Sequence, residues 1–245
     1  GKGVLCVHNP ATGREQYMPH SIETKSKNSK KIVIVGAGPS GLEAARVCSE
    51  RDHEVIVFEA SDKPGGQINL ITRSPNRKDM FGIIDWRLQS CEKNNVKINY
   101  NSFASKTDVL SEKPDIVIIA TGGIPNNQIL EEGSDLVFSS WDIISGNINI
   151  EDEVILYDDN GYFSGLQAAQ IISEKASSLE IISPERFFSP EIGGMNFVPY
   201  GKHFFEKNVK ISINKRINKV YKKGNRLGVV VSSDYSDKTF EKETS

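Results

Sequence analysis

The sequence predicts an α/β protein of two Rossmann-like dinucleotide-binding folds, each a parallel sheet with helices plus antiparallel strands, the second inserted in the first. Three observations carry this expectation. Apolar, β-branched runs alternate with helix-period stripes along the chain, the rhythm of a parallel sheet with crossover helices. A glycine-rich turn, Gly36-Ala37-Gly38-Pro39-Ser40-Gly41, lies directly between one such run and one such stripe. The second half also repeats the first in order. Gly41-Leu42-Glu43-Ala44-Ala45 recurs as Gly165-Leu166-Gln167-Ala168-Ala169, Pro64-Gly65-Gly66 as Ile192-Gly193-Gly194, and Glu92 to Ile98 as Glu206 to Ile211.

Residues 1–30 are rich in Lys, Ser, Asn and Pro without a clear period, and read as an arm or linker. Residues 31–145 read as the first fold. Ile32-Val33-Ile34-Val35 is a continuous apolar run, as in a strand buried on both faces. Leu42, Ala45, Val47 and Cys48 then form a helical stripe through Ser49. Val55 to Phe58 predicts a second buried strand, 79–93 a helix, Val96 to Tyr100 a strand and Asp115 to Ala120 another buried strand. Residues 146–245 read as the second fold, degenerate in its nucleotide site. It ends in three antiparallel strands near Arg216 to Tyr221, Leu227 to Ser232 and Lys238 to Glu241. No return strand to the first fold follows, which predicts that these residues are a fragment of a longer protein.

Composition narrows the function class. The 245 residues carry 30 Lys and Arg against 32 Asp and Glu, a formal charge of −2. Nucleic-acid or acidic-membrane binding is not expected from that balance, and the Lys-rich stretches Lys25 to Lys31 and Lys219 to Lys223 read as solvated linker and strand edge. No apolar run approaches the roughly 18 residues of a membrane span, and no signal-peptide pattern opens the chain. Three scattered cysteines make no disulfide framework, so a cytoplasmic location is expected.

The glycine turn carries the chemistry. Gly36 permits the tight turn, Gly38 lets backbone approach a pyrophosphate, and Gly41 allows close packing of helix on strand. The helix N-terminus behind Pro39 and Ser40 offers free N–H groups to phosphate. Glu59, followed by Ala60, ends the second strand 23 residues after Gly36. There an acid can accept ribose hydroxyls and disfavours a 2′-phosphate. Gly65, Gly66 and Gln67 form a further turn placed to bring amides to a pyrophosphate or flavin. Ala120, Thr121 and Gly122 close the Asp115 to Ala120 strand, where a ligand would exclude bulk. In this order the set favours a flavoprotein variety of the fold, holding FAD or ADP. In the second fold, Asn160 and Tyr162 align with the first two fingerprint glycines and Asp158 and Asp159 add negative charge, so no NAD(P)H site is expected there. No residue reads as a catalytic acid, base or nucleophile, and His8, His20, His53 and His203 show no metal-ligand spacing.

The run Cys6-Val7-His8-Asn9-Pro10, the run Val35 to Arg46, Pro64-Gly65-Gly66-Gln67 and Ser140 to Gly146 together resemble the C-terminal part of iron–sulfur flavoproteins. These include trimethylamine dehydrogenase, histamine dehydrogenase, bacterial 2,4-dienoyl-CoA reductase and the N-methyl amine demethylases. The resemblance implies an upstream FMN-bearing (β/α)8 barrel and a [4Fe–4S] cluster in the parent, a homo-oligomer, with Cys6 as one cluster ligand. The other three ligands would precede Gly1, and neither Cys48 nor Cys91 replaces them. By its residues alone, Cys6 is a free thiol. Amine dehydrogenation or N-demethylation, with an electron-transfer flavoprotein or similar acceptor, is the first expectation. An NADPH-dependent enoyl reductase is the second, and a non-catalytic ADP-binding docking module the third.

Overall fold

The computed structural model describes residues 5–22, 25–150 and 152–245. The chain divides into two compact units, Gly1–Gly123 and Ile124–Ser245.

In the first unit, strands β1 (Lys31–Val35), β2 (Glu54–Phe58), β3 (Lys97–Asn99) and β4 (Ile116–Ile119) form one parallel sheet in the order β3-β2-β1-β4. Strand β1 is central, which is why its apolar run is unbroken. Ile32 and Ile34 pack on one face with Leu42 and Ala45 of helix α1 (Pro39–Glu50). Short α2 (Ile68–Ile71) and α3 (Gly82–Lys93) add Ile68, Ile83 and Ile84 to that core. Val33 faces the opposite side with Ile56, Phe58 and Val109 of α4 (Lys106–Ser111). The 79–93 helix is a 3-10 turn, Pro75–Phe81, followed by α3.

The Asp115 to Ala120 strand, expected to be buried, is not: β4 is an edge strand, with Ile116 39% and Ile119 69% exposed. Its apolar composition suits a strand covered on both faces, and the described residues of this unit do not cover it.

The described residues 5–22 of the arm form turns and bends, and the arm is tied down. Arg87, buried in α3, donates Nη2 to the His8 carbonyl (2.9 Å) and Nη1 to the Ile83 carbonyl (2.9 Å). Its Nε lies 2.8 Å from Glu43, which also pairs with buried Arg46. Burial pushes the Glu43 carboxyl up, but the Arg46 and Arg87 guanidiniums outweigh it and hold the group below its usual range. The Cys6-bearing loop therefore rests on the helix layer of the Rossmann sheet. Cys91 is a core thiol, pushed up to about 11 by burial, and partly buried Cys48 is raised for the same reason.

The first α-helix of the second unit, after a 3-10 turn at Ser134–Leu136, is α5 (Ser140–Ser145), started by a reciprocal Ser139–Asp142 capping box. The segment 124–145, placed with the first fold by sequence, groups with this unit instead. The Glu131 amide donates to the Asn218 carbonyl (2.8 Å), the Val220 amide to the Glu132 carbonyl (3.0 Å), and Ile143 joins this unit's core. Strands β5 (Glu153–Tyr157), β6 (Ser178–Ile182) and β7 (Lys210–Ser212) form a parallel sheet in the order β5-β6-β7. Helices α6 (Phe163–Lys175) and α7 (Gly194–Glu206) cover one face through Leu166, Ile172 and Phe204. An antiparallel meander, β8 (Arg216–Lys223), β9 (Arg226–Ser233) and β10 (Ser236–Thr244), covers the other through Ile217, Val229 and Val231. The internal repeat is therefore structural: β5-α6-β6 reproduces β1-α1-β2. Among the described residues, no helix is long and apolar enough to cross a membrane.

Candidate nucleotide-binding site

The site of the first unit is built around one carboxylate. Glu59 leaves β2 with its side chain buried. Its Oε2 accepts the Ala37 amide (2.7 Å) and its Oε1 the Ser61 amide (2.9 Å). Its backbone is held at both ends, the amide donating to the Asn99 carbonyl (2.9 Å) and the carbonyl accepting from the Ser102 amide (2.8 Å). The acid expected to meet a ribose thus also pins the glycine turn. Each carboxylate oxygen has a second lone pair, so ribose hydroxyls can still be accepted.

The glycines serve different purposes. Gly36 has φ +105°, and a Cβ there would lie 2.4 Å from the Ala120 carbonyl oxygen. A Cβ at Gly41 would lie 1.9 Å from the Gly36 oxygen. Both are glycine for internal reasons, the close approach of helix, turn and β4. Gly38 is unlike them: its φ is −73°, available to any residue, and a Cβ there would meet nothing within 4 Å. The protein itself does not demand glycine at this position, which leaves the backbone open to a group approaching from outside. Gly38 caps α1 without a side-chain hydrogen bond, and Pro39 opens the helix. The first-turn amides around exposed Ser40 therefore form an uncapped helix N-terminus, suited to an anion.

The other predicted residues converge here. The Gly65 amide donates to the Ala37 carbonyl (2.9 Å), and a Cβ on Gly66 would lie 3.4 Å from the Gly38 Cα. The Ala120 amide donates to the Val35 carbonyl (2.8 Å), and the Thr121 Cα lies 3.3 Å from a Cβ built on Gly36. A Cβ built on Gly122, at φ +72°, would lie 3.7 Å from the side-chain Nε2 of Gln67. Ala60 follows Glu59 and is exposed, like Gln67 and Thr121. Sequence reasoning missed Asn69, whose Nδ2 donates to the Pro64 carbonyl (3.0 Å) and which packs under Gly65. It carries no motif signal. The cradle has the donors, the open backbone and the acid that an adenine nucleotide such as FAD or ADP requires.

The second unit departs from this plan at each matching point. Three residues separate β1 from α1 but five separate β5 from α6. Tyr162 takes the helix-capping position of Gly38, as its sequence alignment suggests. The left-handed residue of the loop is Gly161 (φ +66°) and not Asn160. Strand register sets Asp158 opposite Gly36, since the Asp158 amide donates to the Ile182 carbonyl (2.9 Å) as Gly36 does to Phe58 (2.7 Å). Ser183 likewise stands opposite Glu59, its amide donating to the Ser212 carbonyl (3.0 Å). No acid stands at this position. The buried Asp158 side chain accepts the Gly161 amide (3.1 Å) and fills the space against Gly165, where a Cβ would lie 2.8 Å from its Cγ. Its Oδ2 is buried without a hydrogen-bond partner. Burial pushes this carboxyl up, against the pull of the Gly161 and Asn160 amides. A carboxylate therefore sits in the turn before α6 where the first unit keeps open backbone.

Cys6 is exposed, and its thiol is lowered by the backbone amides of Asn9 and His8 and, more weakly, by the Thr12 hydroxyl, with slight burial opposing them. Such donors suit a thiolate, the ligating form of cysteine. Among the described residues, no three His, Cys, Asp or Glu side chains come together to hold a metal, so a cluster would need ligands from elsewhere.

Two outcomes are expected. Gly38→Ala should leave stability within about 0.5 kcal/mol yet weaken ADP binding by roughly tenfold or more, whereas Gly41→Ala should cost about 3 kcal/mol. Chemical denaturation and calorimetry on both variants check this, and tight ADP binding by Gly38→Ala contradicts it. Asp158 has a folded pKa above its unfolded value. Its favourable contribution is complete below the ordinary carboxylate range and is lost as pH rises through the raised value. Asp158→Asn, which mimics the neutral acid, should therefore gain little Tm at acid pH and roughly 2–4 °C at neutral pH. A Tm difference that is flat across pH contradicts this.

Comparison with known proteins agrees with the geometry. Residues 34–89 match the family described as NAD(P)-binding Rossmann-like domain. The chain is 47% identical over 235 residues to "Probable N-methylproline demethylase" of Rhizobium meliloti (strain 1021), covering 96% of this chain and 34% of that protein. It is 36% identical over 244 residues to N,N-dimethylglycine/sarcosine dehydrogenase of Chromohalobacter salexigens, covering 96% and 35%. Among solved structures it resembles a 2-naphthoyl-CoA reductase complex at 28% identity and TM-score 0.83, covering 98% of this chain and 35% of that one. The chain spans about a third of the length of these relatives. Similar to these proteins across nearly its whole length, the chain belongs to the trimethylamine dehydrogenase and 2,4-dienoyl-CoA reductase family of flavoproteins, as its Rossmann-type nucleotide-binding region.

Proposed function

We propose that this chain is the FAD- or ADP-holding region of a larger, cytoplasmic, flavin-dependent oxidoreductase that oxidises N-methylated amines. The observation that carries the reading is Gly38, a glycine with no internal reason to be one, set between a buried ribose-type acid and an uncapped helix N-terminus. In this reading the α1 amides bind the pyrophosphate, the Gly65–Gly66 turn closes over it, and Glu59 orients the adenosine ribose. The names of the N-methylproline demethylase and the N,N-dimethylglycine/sarcosine dehydrogenase above point to N-methyl amino acids as the substrate class.

The chemistry itself would belong to an FMN-bearing (β/α)8 barrel and a [4Fe–4S] cluster in the same protein, with Cys6 as one thiolate ligand. FMN and cluster together would supply a two-electron oxidant and a route for single electrons outward. This chain's share is to hold the Cys6 loop, through the Arg87 bond to His8, and to hold the nucleotide. Asp158, Ser183 and Tyr162 stand against entry of electrons from NAD(P)H at the second unit. That favours an electron-transfer flavoprotein or similar acceptor, working with a homo-oligomeric enzyme, over a nicotinamide-fed reductase. The likeness to a reductase complex keeps the enoyl-reductase reading as the alternative.

The full-length protein should lose its flavin absorbance anaerobically on mixing with N-methylproline, dimethylglycine or sarcosine. Two electrons leave the N-methyl group to give an iminium, and water then releases one formaldehyde per methyl oxidised. NADPH should bleach the flavin at least a hundredfold more slowly. Saturable reduction by NADPH, with no response to any of these amines, transfers the protein to the reductase reading. ADP without flavin, and no reduction by either, leaves a docking module.

A further inference from the structure

Arginine is rarely buried unless its charge and its N–H groups are answered, and the Arg87 side chain is only 6% exposed. Its guanidinium is held on three sides within the first unit. Nη1 donates to the Ile83 carbonyl of its own helix (2.9 Å), and Nε lies 2.8 Å from Glu43 Oε2 on α1. The group also lies over the Trp86 ring, 5.7 Å from its centroid. The remaining contact leaves the helix layer: Nη2 donates to the His8 carbonyl (2.9 Å), 79 residues earlier in the chain. The His8 ring rests on the same helix, since a Cβ built on Gly82 would lie 3.4 Å from its Cε1.

We propose that Arg87 is a positioning residue that acts on Cys6 through the His8–Asn9 peptide and raises the reduction potential of the cluster that Cys6 would ligate. The proposal rests on the reading of Cys6 as a thiolate ligand and adds a residue on α3 that tunes it. In a trans peptide the C=O and N–H point in opposite directions. The carbonyl of the His8–Asn9 peptide meets Arg87, and its N–H, which belongs to Asn9, bonds the Cys6 sulfur, seconded by the His8 N–H. Fixing the carbonyl end therefore fixes where the N–H end points. The far side of the turn is fixed as well: Asn9 Oδ1 accepts the Ala11 amide (2.9 Å), and the Asn9 carbonyl accepts the Thr12 amide (3.2 Å).

The charge of Arg87 adds to the geometry. A cation at the carbonyl oxygen polarises the peptide, so its N–H presents a stronger dipole to the sulfur. Hydrogen bonds to the sulfurs are among the factors that set a cluster's potential, because they favour the more negative, reduced state. Burial keeps the guanidinium from being screened by water. Glu43 opposes this effect: its carboxylate lies against the same guanidinium and offsets part of the charge. Removing the charge of Arg87 and removing that of Glu43 must therefore move the potential in opposite directions. Loosening of the loop alone would move both the same way.

EPR-monitored redox titration of the full-length protein reads the effect. Arg87→Gln should lower the cluster's midpoint potential by roughly a tenfold shift in the one-electron equilibrium, about 59 mV. Glu43→Gln should raise the potential. If Arg87→Gln retains no cluster, Glu43→Gln decides alone: a rise supports the proposal, and a fall or no change overturns it. Potentials that stay put in both variants, or move in the same direction, overturn the role of Arg87 and leave Cys6 as a ligand. A wild-type protein with no [4Fe–4S] signal on reduction removes the ligand reading itself, and this proposal with it.

Discussion

The first unit depends on the contact between Glu59 and the Ala37 amide. The turn between β1 and α1 has no side chain of its own to stabilise it: Gly36 and Gly38 offer none and Ala37 a methyl. A buried carboxylate arriving from the neighbouring strand supplies the missing acceptor. Hydrogen bonds to charged groups contribute about 1.5–3 kcal/mol each, and Glu59 makes two to backbone. Once Ala37 is fixed, its carbonyl receives the Gly65 amide, and the second glycine turn is fixed in register with the first. The phosphate cradle is thus organised before any ligand arrives, so less ordering is left to oppose binding.

The second unit shows what the same architecture becomes without that contact. Its strands and its helix after the first strand repeat, but Ser183 replaces the acid and its hydroxyl accepts the nearby Glu185 amide. The turn lengthens, and Asp158 from the end of β5 itself provides the acceptor, for the Gly161 amide. One unit keeps its turn open to an external anion, and the other satisfies the turn with an internal one. An internal carboxylate beside the helix start disfavours an incoming phosphate.

Much of this was legible in sequence because it follows from period and spacing. The β1 run, the α1 stripe and the repeat of Gly41 to Ala45 at Gly165 to Ala169 identify the strand–turn–helix units directly. The convergence of Gly36, Gly65 and Ala120 followed from the order of their motifs. What escaped was whatever depends on partners distant in sequence. An apolar run reports that a strand can be buried, not that its neighbours are present, so β4 was read as covered when Ile119 is 69% exposed. Helix alignment gave Tyr162 its place, but strand register was needed to find Asp158 opposite Gly36. The second unit's claim on 124–145 rests on bonds to β8, some ninety residues later, and has no local signature. The docking of the arm by Arg87 is of the same kind.

The central claim is that one unit of this chain holds an adenine nucleotide and the other, of the same fold, does not. Calorimetric titration of the full-length protein, freed of bound nucleotide, with ADP measures this directly through its stoichiometry. One site per chain is the expected result. Absence of binding at millimolar ADP, or two sites per chain, contradicts the claim.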